Sequence, residues 1–164
     1  MTVTLHGPVP RWEKVYAGIR PKRWQGDQWT LEPPIVDVFE GEVSRRLDPR
    51  LDLRNHSPTG FEWGYGGSGP AQLALALVAD CCGDDYATPP IYQRFKSWLV
   101  AGLPKDFWAL SAEQVWRYVL RAVCTAWNDN WQPPWIADEA YDSWRHRYGH
   151  PPGFVKAVGT HGHG

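Results

Sequence analysis

The stretch Gly69-Pro70-Ala71-Gln72-Leu73-Ala74-Leu75-Ala76-Leu77-Val78-Ala79-Asp80-Cys81-Cys82-Gly83 decides the fold. From Pro70 to Cys82 it is apolar nearly all round, interrupted at Gln72. A helix apolar on every face belongs at the centre of a domain. Pro70 suits the first helical position, where its missing N–H costs nothing, and Gly83 suits the residue that ends the helix. The run is too short to span a bilayer.

Upstream of this helix the chain reads as β. Val15 to Arg20 ends at Pro21, and Trp29 to Leu31 precedes Pro33-Pro34. Ile35-Val36-Asp37-Val38-Phe39 is β-branched and aromatic, closed by Glu40-Gly41-Glu42. Asp48-Pro49 marks a turn, and Leu51-Asp52-Leu53-Arg54 alternates apolar and polar beyond it, as a strand would. Phe61, Trp63 and Tyr65 alternate with Glu62 and Gly64, which predicts a last strand with its rings on one face. Downstream the chain reads as α. Ile91, Phe95, Trp98 and Leu99 mark an amphipathic helix over 91–103, before Pro104. Ser111 is an N-cap with Gln114 three residues on, a capping box, and Leu110 is placed to staple onto Val115. Val115, Val119, Ala122, Val123 and Ala126 form the buried stripe of that helix. A fourth helix is expected from Trp135 to Tyr148, stopped by Gly149 and Pro151. The expected fold is α+β: an N-terminal antiparallel sheet of short strands, followed by three to four helices packed around the buried central helix.

At 164 residues and 18.7 kDa the chain is the size of one domain, expected to span 1–164. About two-thirds of its unfolded surface can be buried, enough for a core without metal or disulfide staples. A net charge of −1 argues against nucleic acid, which needs a basic excess or stripe. Three cysteines, Cys81, Cys82 and Cys124, form no disulfide framework, and no signal peptide is visible at Met1 to Pro10, so a reduced cytoplasmic setting without membrane is expected. No C-x-x-C pair exists; neither metal nor cofactor is expected.

Eleven tryptophans are the compositional anomaly. Trp is both a large core filler and a frequent interface hot spot. Trp127, Trp131, Trp135, Tyr141 and Trp144 lie among Pro, Asp and Arg in a Trp/Pro-rich extension over 125–164, and are the candidate partner-binding residues. The other candidate is the loop before the central helix. Gly64, Gly66, Gly67 and Gly69 fall within six positions, and consecutive glycines let backbone N–H groups converge on an anion at a helix N-terminus. His56, Glu62, Gly66, Gly67, Ser68 and Gly69 would then bind a small anionic ligand or nucleotide, with Ser68 also able to cap the helix. The loop fits neither a P-loop, which needs Gly-Lys-Ser/Thr, nor a nucleophile elbow, because Pro70 replaces its last glycine. A tight structural corner explains the same glycines. No residue is assigned a catalytic role.

The run Ser57-Pro58-Thr59-Gly60-Phe61-Glu62-Trp63-Gly64-Tyr65-Gly66-Gly67-Ser68-Gly69-Pro70-Ala71-Gln72-Leu73-Ala74-Leu75-Ala76, flanked by Tyr16-Ala17-Gly18-Ile19-Arg20 and Tyr92-Gln93-Arg94-Phe95-Lys96, resembles the signature of a domain of unknown function. That family comprises small bacterial, archaeal, plasmid and phage proteins. The resemblance covers a core of about 16–120 and carries no activity to any residue. It implies a context of mobile-element accessory proteins, among which anti-defence inhibitors, including inhibitors of CRISPR systems, occur. A non-enzymatic module that binds a protein partner is the leading expectation. A ligand-binding domain, even a hydrolase, built on the glycine loop is the alternative.

Overall fold

The computed structural model describes residues 13–129. Strands β1 (Lys14–Ile19), β2 (Lys22–Gln25), β3 (Gln28–Leu31), β4 (Ile35–Glu40) and β5 (Val43–Arg46) precede helices α1 (Ser68–Cys82) and α2 (Pro89–Trp98). Strand β6 (Phe107–Ser111) then leads directly into α3 (Ala112–Asn128). The fold is α+β, with an antiparallel sheet of order β5-β4-β1-β6 and a separate β2-β3 hairpin inserted between β1 and β4.

One face of the sheet carries Tyr16, Val36, Val38, Trp108 and Leu110, all buried with the helices in a single core. Helix α1 is its axis, buried from Gly69 to Ala79 on every side. At Gly18, opposite Trp108 in the register, a Cβ would sit 2.3 Å from the indole. A side chain there would push Trp108 off the sheet, so glycine is required by close approach. Trp108 in turn meets Trp63 edge to face, with centroids 5.6 Å apart.

The capping box of α3 forms as the sequence predicts. Gln114 N–H donates to Ser111 Oγ at 3.1 Å, and Ser111 N–H donates to Gln114 Oε1 at 2.9 Å. The stripe Val115, Val119, Ala122, Val123 and Ala126 is buried. Four expectations need correction. Leu51 to Arg54 is a turn: Arg50 adopts φ +53°, accepts from Leu53 N–H, and pairs with Asp52 and Asp84. Local side-chain pairing thus closes the chain before a ladder can start. Phe61 to Tyr65 is not a strand; Phe61 and Trp63 are buried, but Gly64 turns at φ +81° and Tyr65 is exposed. Ser68 is the first residue of α1 rather than its cap; Gly67 caps it, without a side-chain bond. Helix α2 ends at Trp98, and Val100–Gly102 continues as a 3₁₀ turn. The fourth helix expected over 135–148 lies outside the described residues.

Candidate functional site

The glycine loop is held by its own packing. The Glu62 side chain lies against Gly69, where a Cβ would come within 2.5 Å of Glu62 Cβ. The Glu62 carboxylate pairs with Arg20 at 2.7 Å. Arg20 also stacks on Trp63, 4.6 Å from the ring, and donates to the Trp63 carbonyl at 2.9 Å. Trp63 Nε1–H donates to the carbonyls of Pro104 and Lys105. The corner is thus an Arg20–Glu62–Trp63 clamp that joins β1 to the segment before β6. Gly66 and Ser68 are exposed and Gly67 half-buried. Glu62 fills the space on the Cβ side of Gly69.

His56 belongs to a different cluster. Gln72, fully buried, accepts from His56 N–H at 2.7 Å and Ser57 N–H at 3.2 Å, and donates to the carbonyls of Pro49 and Arg54. One polar side chain in an apolar helix therefore satisfies four backbone groups of the 49–57 segment. His56 Nε2 meets Tyr92 Oη at 2.9 Å, and the two rings pack edge to face. Burial, reinforced by Arg54 and Lys96, holds the His56 imidazole below its ordinary pKa. His56 and Glu62 are thus engaged with separate partners.

At the other end of α1 a charged hub forms on Asp80. Its carboxylate accepts from Lys14 at 3.0 Å, Tyr16 at 2.8 Å and Arg45 at 2.6 Å. Burial opposes the charged carboxylate, but these bonds hold Asp80 below the usual carboxylate range. Cys81, Cys82 and Cys124 are buried free thiols. Burial pushes the Cys124 thiol up to about 11. Among the described residues no group of His, Cys, Asp and Glu is arranged to hold a metal.

The other face of the sheet is the surface that sequence reasoning missed. Val15 lies opposite Phe39 and Ser111, Ala17 opposite Asp37 and Ala109, and Ile19 opposite Ile35 and Phe107. None of these side chains is buried; Phe39 is 41% exposed, Ile19 46% and Phe107 58%. The Arg46–Asp37 pair at 2.7 Å crosses the middle row. The Ile19–Ile35–Phe107 row ends where the β2-β3 hairpin begins. On that hairpin Trp24 and Trp29 face each other across the strands, centroids 5.3 Å apart, both mostly exposed. Lys22, Trp29, Thr30 and Leu31 line an open groove of about 430 Å³. An antiparallel sheet with one solvated face ordinarily carries polar residues there. Here the outer parity of β1, β4 and β6 is apolar except at Asp37 and Ser111, close to the pattern of strands covered on both sides. That doubling was legible in Val15-Tyr16-Ala17-Gly18-Ile19. What sequence could not supply was which parity the helices would cover.

Trp127 is half-buried in the last turn of α3. Trp131, Trp135, Tyr141 and Trp144 lie outside the described residues. No described helix is long and apolar enough to cross a membrane. Comparison with known proteins finds one family model, described as a family of unknown function (DUF6166), matching residues 23–122. No curated protein and no solved structure matches.

Proposed function

We propose that this chain, which belongs to the DUF6166 family of unknown function, is a non-enzymatic protein-interaction module that binds its partner on the outer face of its sheet. The observation that carries this reading is the apolar surface of Val15, Ile19, Phe39 and Phe107, with the hairpin tryptophans Trp24 and Trp29 exposed as well. A contiguous exposed apolar patch with a polar rim marks an interaction surface. Large aromatic side chains give such a patch its binding energy. A mobile-element accessory role, in which the module blocks or recruits a larger protein, belongs to the same proposal, and anti-defence inhibition is one form of it. A cytoplasmic site of action is supported by the three buried free thiols.

The test is hydroxyl-radical footprinting of the full chain, combined with capture from host lysate by wild type and by Ile19→Lys and Phe39→Lys. Oxidation of Phe39 and Phe107 in the free protein, their protection on the captured complex, and loss of capture by both variants at unchanged melting temperature would support the assignment. Protection already present in the isolated chain, or undiminished capture by the variants, would overturn it.

A further inference from the structure

The hydrogen-bonding direction of β6 follows from one contact. Arg20 N–H donates to the Asp106 carbonyl at 3.0 Å, in register with the β1–β6 pairing. Residues directly opposite in an antiparallel ladder alternate between bonded and non-bonded pairs. Gly18–Trp108 and Tyr16–Leu110 are therefore bonded pairs, and Trp108 and Leu110 spend their backbone groups on β1. Phe107, Ala109 and Ser111 turn theirs the other way. Ser111 confirms the direction, because its N–H is taken by Gln114 in the capping box. The N–H and C=O of Phe107 and of Ala109 remain on an edge that no described strand pairs.

The two edges of the sheet differ. β5 carries Arg45 and Arg46, charges of the kind that block strand addition. β6 reads Phe-Trp-Ala-Leu-Ser, with no charge and no proline. An apolar, uncharged edge that no described strand pairs is a template for another strand.

We infer that β6 pairs antiparallel with β6 of a second copy of this chain, joining two sheets into one across a two-fold axis at Trp108. In that register Phe107 stands opposite Ala109 of the second copy, and Ala109 opposite its Phe107. Both are bonded pairs, so all four open backbone groups of each copy find partners while each Ser111 N–H keeps its capping box. On the outer face each large ring meets a small methyl instead of another ring. No charge on either strand opposes the pairing, and the apolar outer face continues from one copy into the next. A strand from an unrelated protein would meet the same hydrogen bonds, but β6 supplies this complementarity to itself. The inference deepens the interaction role proposed above and rests on it only for the shared outer face.

The experiment is sedimentation equilibrium and native mass spectrometry of the full chain, as wild type, Ala109→Pro and Ala109→Arg. Proline at 109 removes an N–H that β1 does not use and bars the edge, so the fold is kept. The expected result is a mass of twice 18.7 kDa for wild type at high micromolar concentration. Both variants should stay at single-chain mass, with dimer affinity at least about tenfold weaker, a loss of roughly 1.4 kcal/mol, and melting curves matching the dilute wild type. Wild type that stays a single chain at every concentration, or variants that dimerise equally well, would overturn the inference. Lysate capture that is lost in Ile19→Lys and Phe39→Lys would then still stand on its own, so the two readings fail separately.

Discussion

Gln72 shows how one residue can carry a local fold. It sits in the middle of an apolar helix and is fully buried, which costs free energy unless each polar atom finds a partner. The 49–57 segment provides them, and in return gains four satisfied backbone groups. Gln72→Leu should destabilise the domain by about 2–5 kcal/mol, since buried groups left unpaired cost about 1–3 kcal/mol each and some regain water. Urea denaturation of the two proteins measures this, and a loss below about 1 kcal/mol would show that the segment has other anchors. The position was visible in the sequence as the one interruption of Pro70–Ala79. Its purpose was not, because both halves of the arrangement are needed and lie 15 to 23 residues apart. Gly69 is a parallel case. Its spelling suited an anion nest, and only the position of the Glu62 side chain shows what its missing Cβ accommodates.

Among the elements, those set by local signals are legible in the sequence and those set by distant pairing are not. The α3 start was legible because Ser111 and Gln114 are three residues apart and satisfy each other. Strand β6, immediately before it, went unread. Phe-Trp-Ala-Leu carries no alternation of polarity, and only pairing with β1 across the whole helical half makes it a strand. The β2-β3 hairpin could have been found from Gly26-Asp27 between Trp24 and Trp29, a two-residue turn with left-handed Gly26. What ties helix to sheet at the far end is Asp80, reached by β1 through Lys14 and Tyr16 and by β5 through Arg45. Asp80→Asn puts a neutral amide beside the buried Lys14 and the half-exposed Arg45, which keep Glu40 as a partner. We expect a loss of about 2–4 kcal/mol, read by thermal and urea unfolding. A near-neutral result would mean that Glu40, which also pairs with Lys14 at 3.2 Å and Arg45 at 3.3 Å, and solvent compensate the two cations.

For the whole molecule the charged and titratable groups give a pH dependence with a definite sign. The folded His56 has a pKa below its ordinary value of about 6.5. As pH falls through this window the unfolded chain takes up a proton that the folded chain refuses, so stability falls with it. Asp80, Asp84, Asp52 and Glu40 are also held low in the fold. Their contribution is present above the ordinary carboxylate range of about 4 and disappears below it. Melting temperature against pH should therefore decline in two stages. His56→Gln should remove the stage below about pH 6.5 and leave the acid stage in place. A single acid step in both proteins would exclude His56 as the source.

The fold class, the central position of Pro70–Cys82, the start of α3 and an N-terminal antiparallel sheet ahead of the central helix follow from the sequence alone. Each follows from composition or from residues within a few positions of each other, where periodicity and capping act directly. The tertiary structure decided the rest. It brought β6 back to the N-terminal sheet, set the Arg20–Glu62 and Asp80 pairings, and chose which parity of β1, β4 and β6 the helices would cover. A strand that is apolar on both faces offers two equivalent sides to a core. Only the register of its partners and the packing of three helices settle which side is buried and which stays exposed.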